Sequence, residues 1–269
     1  MFRIFKGASG ERVFRVATIS ALVLLALFFL GIIISLLAYT RWDTFVSALF
    51  SEEILFAIRL SLTTATVAAV LSMLIAVPVA YAISRARFLG KDIVDSLLDL
   101  PIVISPVALG AALLVFFNTP LGSAIDDNII KFVFSVPGII LAQVTVISAL
   151  AVRLLKSTFD SIDPRYEQVA RTLGCSKPEA FFRVTLPLAK DGLIASGILT
   201  WARAIGEFGA TVMLAGATAM KTETLPSAIF LSLASADVEK AIAVIFVLIL
   251  IAVAALLVIR RIIGRRYRI

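Results

Sequence analysis

The sequence contains no histidine and one cysteine, Cys175. Without imidazole it has no side chain that ordinarily titrates near neutrality, and it lacks the commonest metal ligand. A lone thiol excludes an intrachain disulfide and argues against a thiolate metal cluster. Charge is scarce as well: Asp, Glu, Lys and Arg make up 16% of 269 residues, against about a quarter in soluble domains. The strict apolar–polar alternation that a membrane barrel requires is missing. So is an internal repeat of the kind that underlies the inverted symmetry of many secondary transporters.

What fills the sequence instead is apolar residues, 61% of the total and gathered in long blocks. A helix that crosses a bilayer needs about 20 predominantly apolar residues. Six segments of that kind are present, at 16–38, 56–83, 96–117, 133–155, 192–215 and 241–259. Backbone groups find no water in hydrocarbon, so each is expected to be helical. The chain is too short for six spans and a large soluble domain, so residues 1–269 read as one transmembrane domain, an all-α integral membrane protein. The first block is longer than the roughly 7–15-residue apolar region of a secretory signal, and is read as a retained anchor.

Lys and Arg set the expected orientation. With the N-terminus inside, the inner segments hold Arg3, Lys6, Arg12 and Arg15, then Arg85, Arg87 and Lys91, then Arg153, Lys156, Arg165, Arg171, Lys177, Arg183 and Lys190, and finally Arg260, Arg261, Arg265, Arg266 and Arg268. Those are 19 of 25 cations. Arg41, Arg59, Lys131, Arg203, Lys221 and Lys240 fall outside or within spans. The positive-inside rule then places both termini in the cytoplasm. The net charge of +7 is thereby assigned to membrane flanks rather than to nucleic-acid binding.

Two spans carry unusual residues. In the third, Pro101, Pro106 and Gly110 bracket Ser105. Proline frees backbone groups, which membrane helices tolerate where they are buried in protein or line a cavity. A broken helix lining a pathway and a packing kink both fit. In the fifth, Arg203 and Glu207 would each cost about 2.5–3.5 kcal/mol in lipid at mid-membrane. Their i, i+4 spacing lets them neutralise one another facing the bundle interior. With Thr200 and Thr211 nearby they either border the pathway or clamp helices together. A carboxylate repels anions, which favours the clamp for Glu207.

The connection at 153–190 is the longest polar stretch, and it reads as two short helices with a hinge. Asp163-Pro164 offers an N-cap and a first-turn proline. The helix they open runs through Leu173, and Gly174 stops it. Ser176-Lys177-Pro178-Glu179 is a capping-box sequence that starts a second helix, expected to fade near Val184 before Pro187. The outer connection at 217–240 holds an apolar stretch, Ser227 to Ala234, that suits a short interfacial helix. No phosphate-binding loop is found: at Gly90-Lys91, the one Gly-Lys pair, Arg85 stands where the first glycine belongs and Asp92 where Ser or Thr belongs.

The polar connection resembles the signature loop of ATP-binding-cassette importer permeases, Glu-Ala-Ala, three residues, Gly, nine residues, Ile, any residue, Leu-Pro. Gln168-Val169-Ala170, Gly174, Val184 and Leu186-Pro187 stand at the matching spacing, with Gln168 for Glu, Val169 for Ala and Val184 for Ile. The resemblance implies that residues 164–182 form a cytoplasmic coupling helix on a separate ATPase subunit, with Glu167, Gln168, Val169, Ala170, Arg171, Gly174, Leu186 and Pro187 as its contact and hinge residues. It also implies two copies of that ATPase, a second copy of the permease, an extracytoplasmic binding protein, and ATP and magnesium in the partner but no cofactor in this chain. The stretch Trp201 to Gly216, with its Gly206-Glu207-Phe208-Gly209-Ala210-Thr211 run, and then Lys221 to Pro226, is similar to the molybdate and tungstate branch. Sulfate and thiosulfate permeases are the nearest alternative. An ion-coupled secondary transporter and a non-transporting scaffold or sensor are the remaining ones. A pump suits such cargo: bringing a doubly charged anion into a negative-inside cell opposes about 4.6 kcal/mol per 100 mV before any concentration gradient.

Overall fold

The structure, a computed structural model, describes residues 8–39, 42–86 and 89–264. Arg3, Lys6, Arg41, Arg87, Arg265, Arg266 and Arg268, used above for orientation, lie outside them. All regular elements among the described residues are helical, as chains in hydrocarbon must be unless they close into barrels. The chain divides into two compact units, Met1–Ser47 and Ala48–Ile269.

The first unit holds helix α1, Ala8–Tyr39, which the sequence places over 16–38. Its apolar surface is exposed along its length. A short helix α2, Trp42–Leu49, follows.

The second unit starts with α3, Glu52–Arg85. The Ser51 hydroxyl accepts from the Ile54 N–H at 3.3 Å, and Glu52 and Glu53 sit in the first turn, so side chain and macrodipole both favour a start here. The buried face of α3 is a stripe of small residues that includes Ala57, Ser61, Ala65, Ala68, Ser72, Ala76 and Ala80. Small side chains let two backbones approach closely, which is what drives packing where lipid gives no hydrophobic incentive.

The third apolar block is two helices, α4 at Lys91–Val103 and α5 at Pro106–Phe117, bent by 108°. Proline disfavours the helical region for the residue before it, and Ser105 accordingly adopts φ −56°, ψ 135°. The sequence did not suggest the next helix, α6 at Pro120–Asn128. Thr119 caps it through the Gly122 N–H at 3.2 Å. Helix α7, Val136–Asp160, is capped by Ser135 and buried on the face that meets α3.

The polar connection gives α8, Arg165–Thr172, and α9, Lys177–Ala180. Between them Gly174 takes φ +98°, the left-handed backbone expected of its stop position. Ser176 and Glu179 form the full capping box. The second helix does not fade at Val184, and this corrects the sequence expectation. A π turn at Phe181–Thr185 joins α9 directly to α10, Leu186–Ile205. Proline normally clashes with the carbonyl four residues back. The widened turn bonds the Leu186 N–H to the Phe181 carbonyl and gives Pro187 a first-turn position.

The fifth block is broken too: α11, Gly209–Ala215, leaves the preceding helix at 56°. Helix α12, Leu225–Ala234, covers the apolar stretch of the outer connection. It buries Leu225, Ser227, Ala228 and Ser232, and its Leu225 N–H donates to the Ser61 hydroxyl of α3 at 2.7 Å. Helix α13, Val238–Gly264, ends the described chain. Among the described residues, four helices are long and apolar enough to cross a membrane, six if each bent pair counts as one.

Candidate functional site

Two places in the second unit gather polar groups that the apolar packing alone would not require. The first is the base of the α8–α9 connection. An apolar core of Ala76, Ala80, Ile83, Val152, Leu155, Phe159 and Ala189 supports it from beneath, and the Tyr81 ring packs edge-on against Phe181 with centroids 4.6 Å apart. On that base the Glu167 carboxylate accepts three hydrogen bonds: from the Tyr81 hydroxyl at 2.8 Å, from Arg85 Nε at 3.0 Å and from the Thr185 hydroxyl at 2.8 Å. Arg85 also donates to the Ile162 carbonyl at 2.8 Å. Burial pushes the Glu167 carboxyl up, but the bonds from Thr185, Tyr81 and Arg85 outweigh it and hold the group below its ordinary range. One carboxylate thus ties α8 to the end of α3 and to the π turn that leads into α10.

The other residues assigned to this loop divide by exposure. Ala170 is buried against the base, whereas Gln168, Arg171 and Gly174 are exposed. Tyr166, Val169, Leu173 and Phe182 show large apolar surfaces to the outside, Leu173 at 81%. Leu186 is half-buried and Pro187 exposed at the start of α10. A loop that only linked two spans would gain nothing from such a face.

The second place is the break between α10 and α11. Glu207 is 1% exposed and pairs with Arg203, Nη1 to Oε2 at 2.7 Å. Its other oxygen accepts from the Ala210 N–H at 3.0 Å and so caps the start of α11. Gln143 of α7 donates to the Ala204 carbonyl at 3.1 Å, alongside the Glu207 N–H that bonds the same oxygen at 3.1 Å. Thr200 and Thr211 are fully buried, and their hydroxyls make no hydrogen bond among the described residues.

Helix α5 runs against this break. A Cβ on Gly110 would stand 2.6 Å from the Ala210 carbonyl oxygen, and one on Gly209 would stand 2.9 Å from a Val107 methyl. Both broken spans therefore meet at their glycines. Of the sequence-assigned pathway residues, Thr200, Glu207 and Thr211 are buried around the α10–α11 break. Arg203 is partly exposed, Pro106 begins α5 and Ser105 is exposed at the other break.

Sequence reading passed over Tyr81 and Thr185 and counted Arg85 only as a flank cation; their partnership with Glu167 spans separations that no local pattern reports. It also counted Arg153 only as a flank cation. Arg153 binds Asp95, Nη1 to Oδ1 at 2.8 Å, and also Asp99, so it fastens α4 to α7. The i, i+4 spacing of Asp95 and Asp99 was the available signal. No group of three His, Cys, Asp or Glu among the described residues is placed to hold a metal ion.

Residues 72–269 match the family of binding-protein-dependent transport system inner membrane components. The chain is 40% identical over 210 residues to a probable molybdenum ABC transporter permease protein of Haloferax volcanii, covering 78% of this chain and 76% of that one. It is 32% identical over 245 residues to the sulfate transport system permease protein CysW of Synechocystis, covering 87% and 89%. Among solved structures, a bacterial ABC transporter involved in the import of the acidic polysaccharide alginate matches with a TM-score of 0.74 at 18% identity, covering 99% of this chain and 100% of that one.

Proposed function

This chain belongs to the family of binding-protein-dependent transport system inner membrane components, and within it we propose a permease that carries molybdate or tungstate into the cell. It is the membrane-spanning permease component of an ABC importer, a transporter class whose ATPase is a separate subunit. The reading of its cargo is supported by the Gly206–Thr211 run and by the relative from Haloferax volcanii. Sulfate is the second reading, supported by the Synechocystis relative.

The observation that carries the mechanism is the three-bonded Glu167 under the α8–α9 connection. Both termini and this connection lie in the cytoplasm, where two ATPase copies grip one loop from each of two permease copies. ATP, with magnesium, draws the ATPases together and the loops move with them. Glu167 passes the displacement to α3 through Tyr81 and Arg85. The π turn passes it to α10 without an intervening hinge. Those helices lead to the glycine contacts at the two broken spans, where the pathway opens toward an extracytoplasmic oxyanion-binding protein. Hydrolysis returns the bundle inward. The Arg203–Glu207 pair and the Glu207 cap hold the α10–α11 break in shape, and Ser105, Pro106, Thr200 and Thr211 border the moving region.

Uptake into proteoliposomes that hold the permease, its cognate ATPase and its cognate binding protein tests the reading. Labelled molybdate and tungstate should accumulate only with internal ATP, and excess sulfate should compete poorly. Sulfate accumulation that molybdate fails to inhibit would replace the cargo. Flux that follows an ion gradient with no ATP would replace the mechanism.

A further inference from the structure

The carboxylates around the α8–α9 connection are already occupied. Asp160 accepts from the Ser84 hydroxyl at 2.5 Å and pairs with Lys156 at 2.8 Å. Asp163 accepts from the Arg165 N–H at 2.9 Å. Glu167 holds its three donors, and Glu179 is taken up by the Ser176 backbone and hydroxyl at 2.8 and 2.9 Å, with Arg183 at 3.9 Å. The cations are not matched in the same way. Arg165, Arg171 and Lys177 are exposed and form no ion pair among the described residues. Arg171 and Lys177 line a pocket of about 450 Å³ whose wall includes Arg85 and Gln168, with Glu167 as its one carboxylate. Glu167 is spent on Arg85 at 3.0 Å, so the pocket presents two uncompensated positive charges and one neutral amide.

Beside the pocket stand Val169 and Leu173, 58% and 81% exposed. Apolar side chains of that size gain by being covered, and charged groups at the rim of a contact select a partner of opposite sign. We propose that the surface receiving this loop on the ATPase subunit is acidic, and that one of its carboxylates enters the pocket between Arg171 and Lys177. The proposal rests on the reading that this loop docks on the ATPase, and it fixes the polarity of that contact. Gln168 belongs to the same pattern. A glutamate there would bring a free anion into the pocket and repel the incoming carboxylate, whereas an amide donates to it. The recognition is by charge and by bidentate geometry at Arg171, with the apolar pair supplying the covered centre.

The test uses the full permease and its cognate ATPase, with affinity measured by co-purification and by titration in detergent at low and high salt. Arg171→Gln with Lys177→Gln should weaken binding about tenfold at low salt and flatten its salt dependence. Arg171→Glu with Lys177→Glu should weaken it by a further factor of about ten. Leu173→Asp should also weaken binding, which reports docking itself. All of these positions are exposed, so melting temperatures should match the parent and folding failure is separable. If Leu173→Asp releases the ATPase while both charge variants bind as the parent does, the acidic surface is wrong and the docking stands. If Leu173→Asp also binds normally, the docking reading fails. If the charge variants keep ATPase affinity but lose binding to vesicles rich in anionic lipid, the cations serve headgroups and the proposal is overturned.

Discussion

Arg85, at the last turn of α3, and Glu167, on α8, meet Nε to Oε1 at 3.0 Å with 14% and 12% of their side chains exposed. Their separation in sequence means that the loop is fastened to a span other than the ones it connects. Removing one partner strands the other in a partly buried site, so Glu167→Ala should loosen the loop by about 2–3 kcal/mol. Transport should fall while ATP hydrolysis by the bound ATPase continues. The pH dependence has a definite sign. A carboxyl held below its ordinary 4.5 contributes fully above that value and loses its contribution as pH falls through the folded-state value. Proteolytic protection of the loop should therefore be level from neutrality down to about pH 5 and fail below that. In Glu167→Gln the response should be flat and low throughout.

Gly174 separates conformation from space. Its φ is +98°, and a Cβ there would meet nothing within 4 Å. Any cost of substitution is therefore backbone strain, about 1–2 kcal/mol for an ordinary residue and less for asparagine. Gly174→Val should uncouple ATPase activity from uptake in proteoliposomes, and Gly174→Asn should retain most of the coupling. Equal behaviour of the two would remove the hinge from the account.

At the broken spans the constraint is the reverse. Gly110→Ala would drive a methyl to 2.6 Å from the Ala210 carbonyl, whereas Gly197→Ala meets only the Met73 methyl at 3.7 Å. Overpacking of this kind costs about 1–3 kcal/mol. Thermal unfolding in detergent should show Gly110→Ala melting several degrees low and Gly197→Ala unchanged.

The buried Glu207 offers a choice between clamp and pathway. As a clamp it holds Arg203 at 2.7 Å and caps α11 through Ala210. Arg203 is 39% exposed, so solvent screening limits the pair to about 1 kcal/mol. Glu207→Gln should lower the melting temperature and leave the KM for oxyanion uptake within about twofold. A KM raised about tenfold at unchanged stability would put the carboxylate on the pathway.

Local signals were legible from sequence wherever chemistry and position coincide within a few residues. The left-handed Gly174 and the proline-marked break at Ser105 follow from backbone sterics, and the Ser176–Glu179 capping box from hydrogen bonds within four residues. Pro187 misled for the same reason, because a proline read locally ends a helix and only the π turn before it, set by tertiary packing, lets the helix continue. The Glu167 hub was half legible: the loop assignment named Glu167 but pictured it at the ATPase surface. Tyr81 and Arg85 lie on another span, and no periodicity within α8 reports a partner so distant. Helix α6, short and polar enough to pass for a loop, depends on a Thr119 cap that carries no weight until the neighbouring spans position it.

The loop contains the chain's one cysteine, Cys175, half-buried directly after Gly174. A membrane-impermeant maleimide therefore reads the sidedness and occupancy of the coupling element in the unmodified protein. The account predicts that Cys175 is labelled in inside-out vesicles stripped of ATPase, is protected when the ATPase is added back, and is untouched in right-side-out vesicles. Labelling from the outer face, or labelling that proceeds at full rate with the ATPase bound, would contradict it.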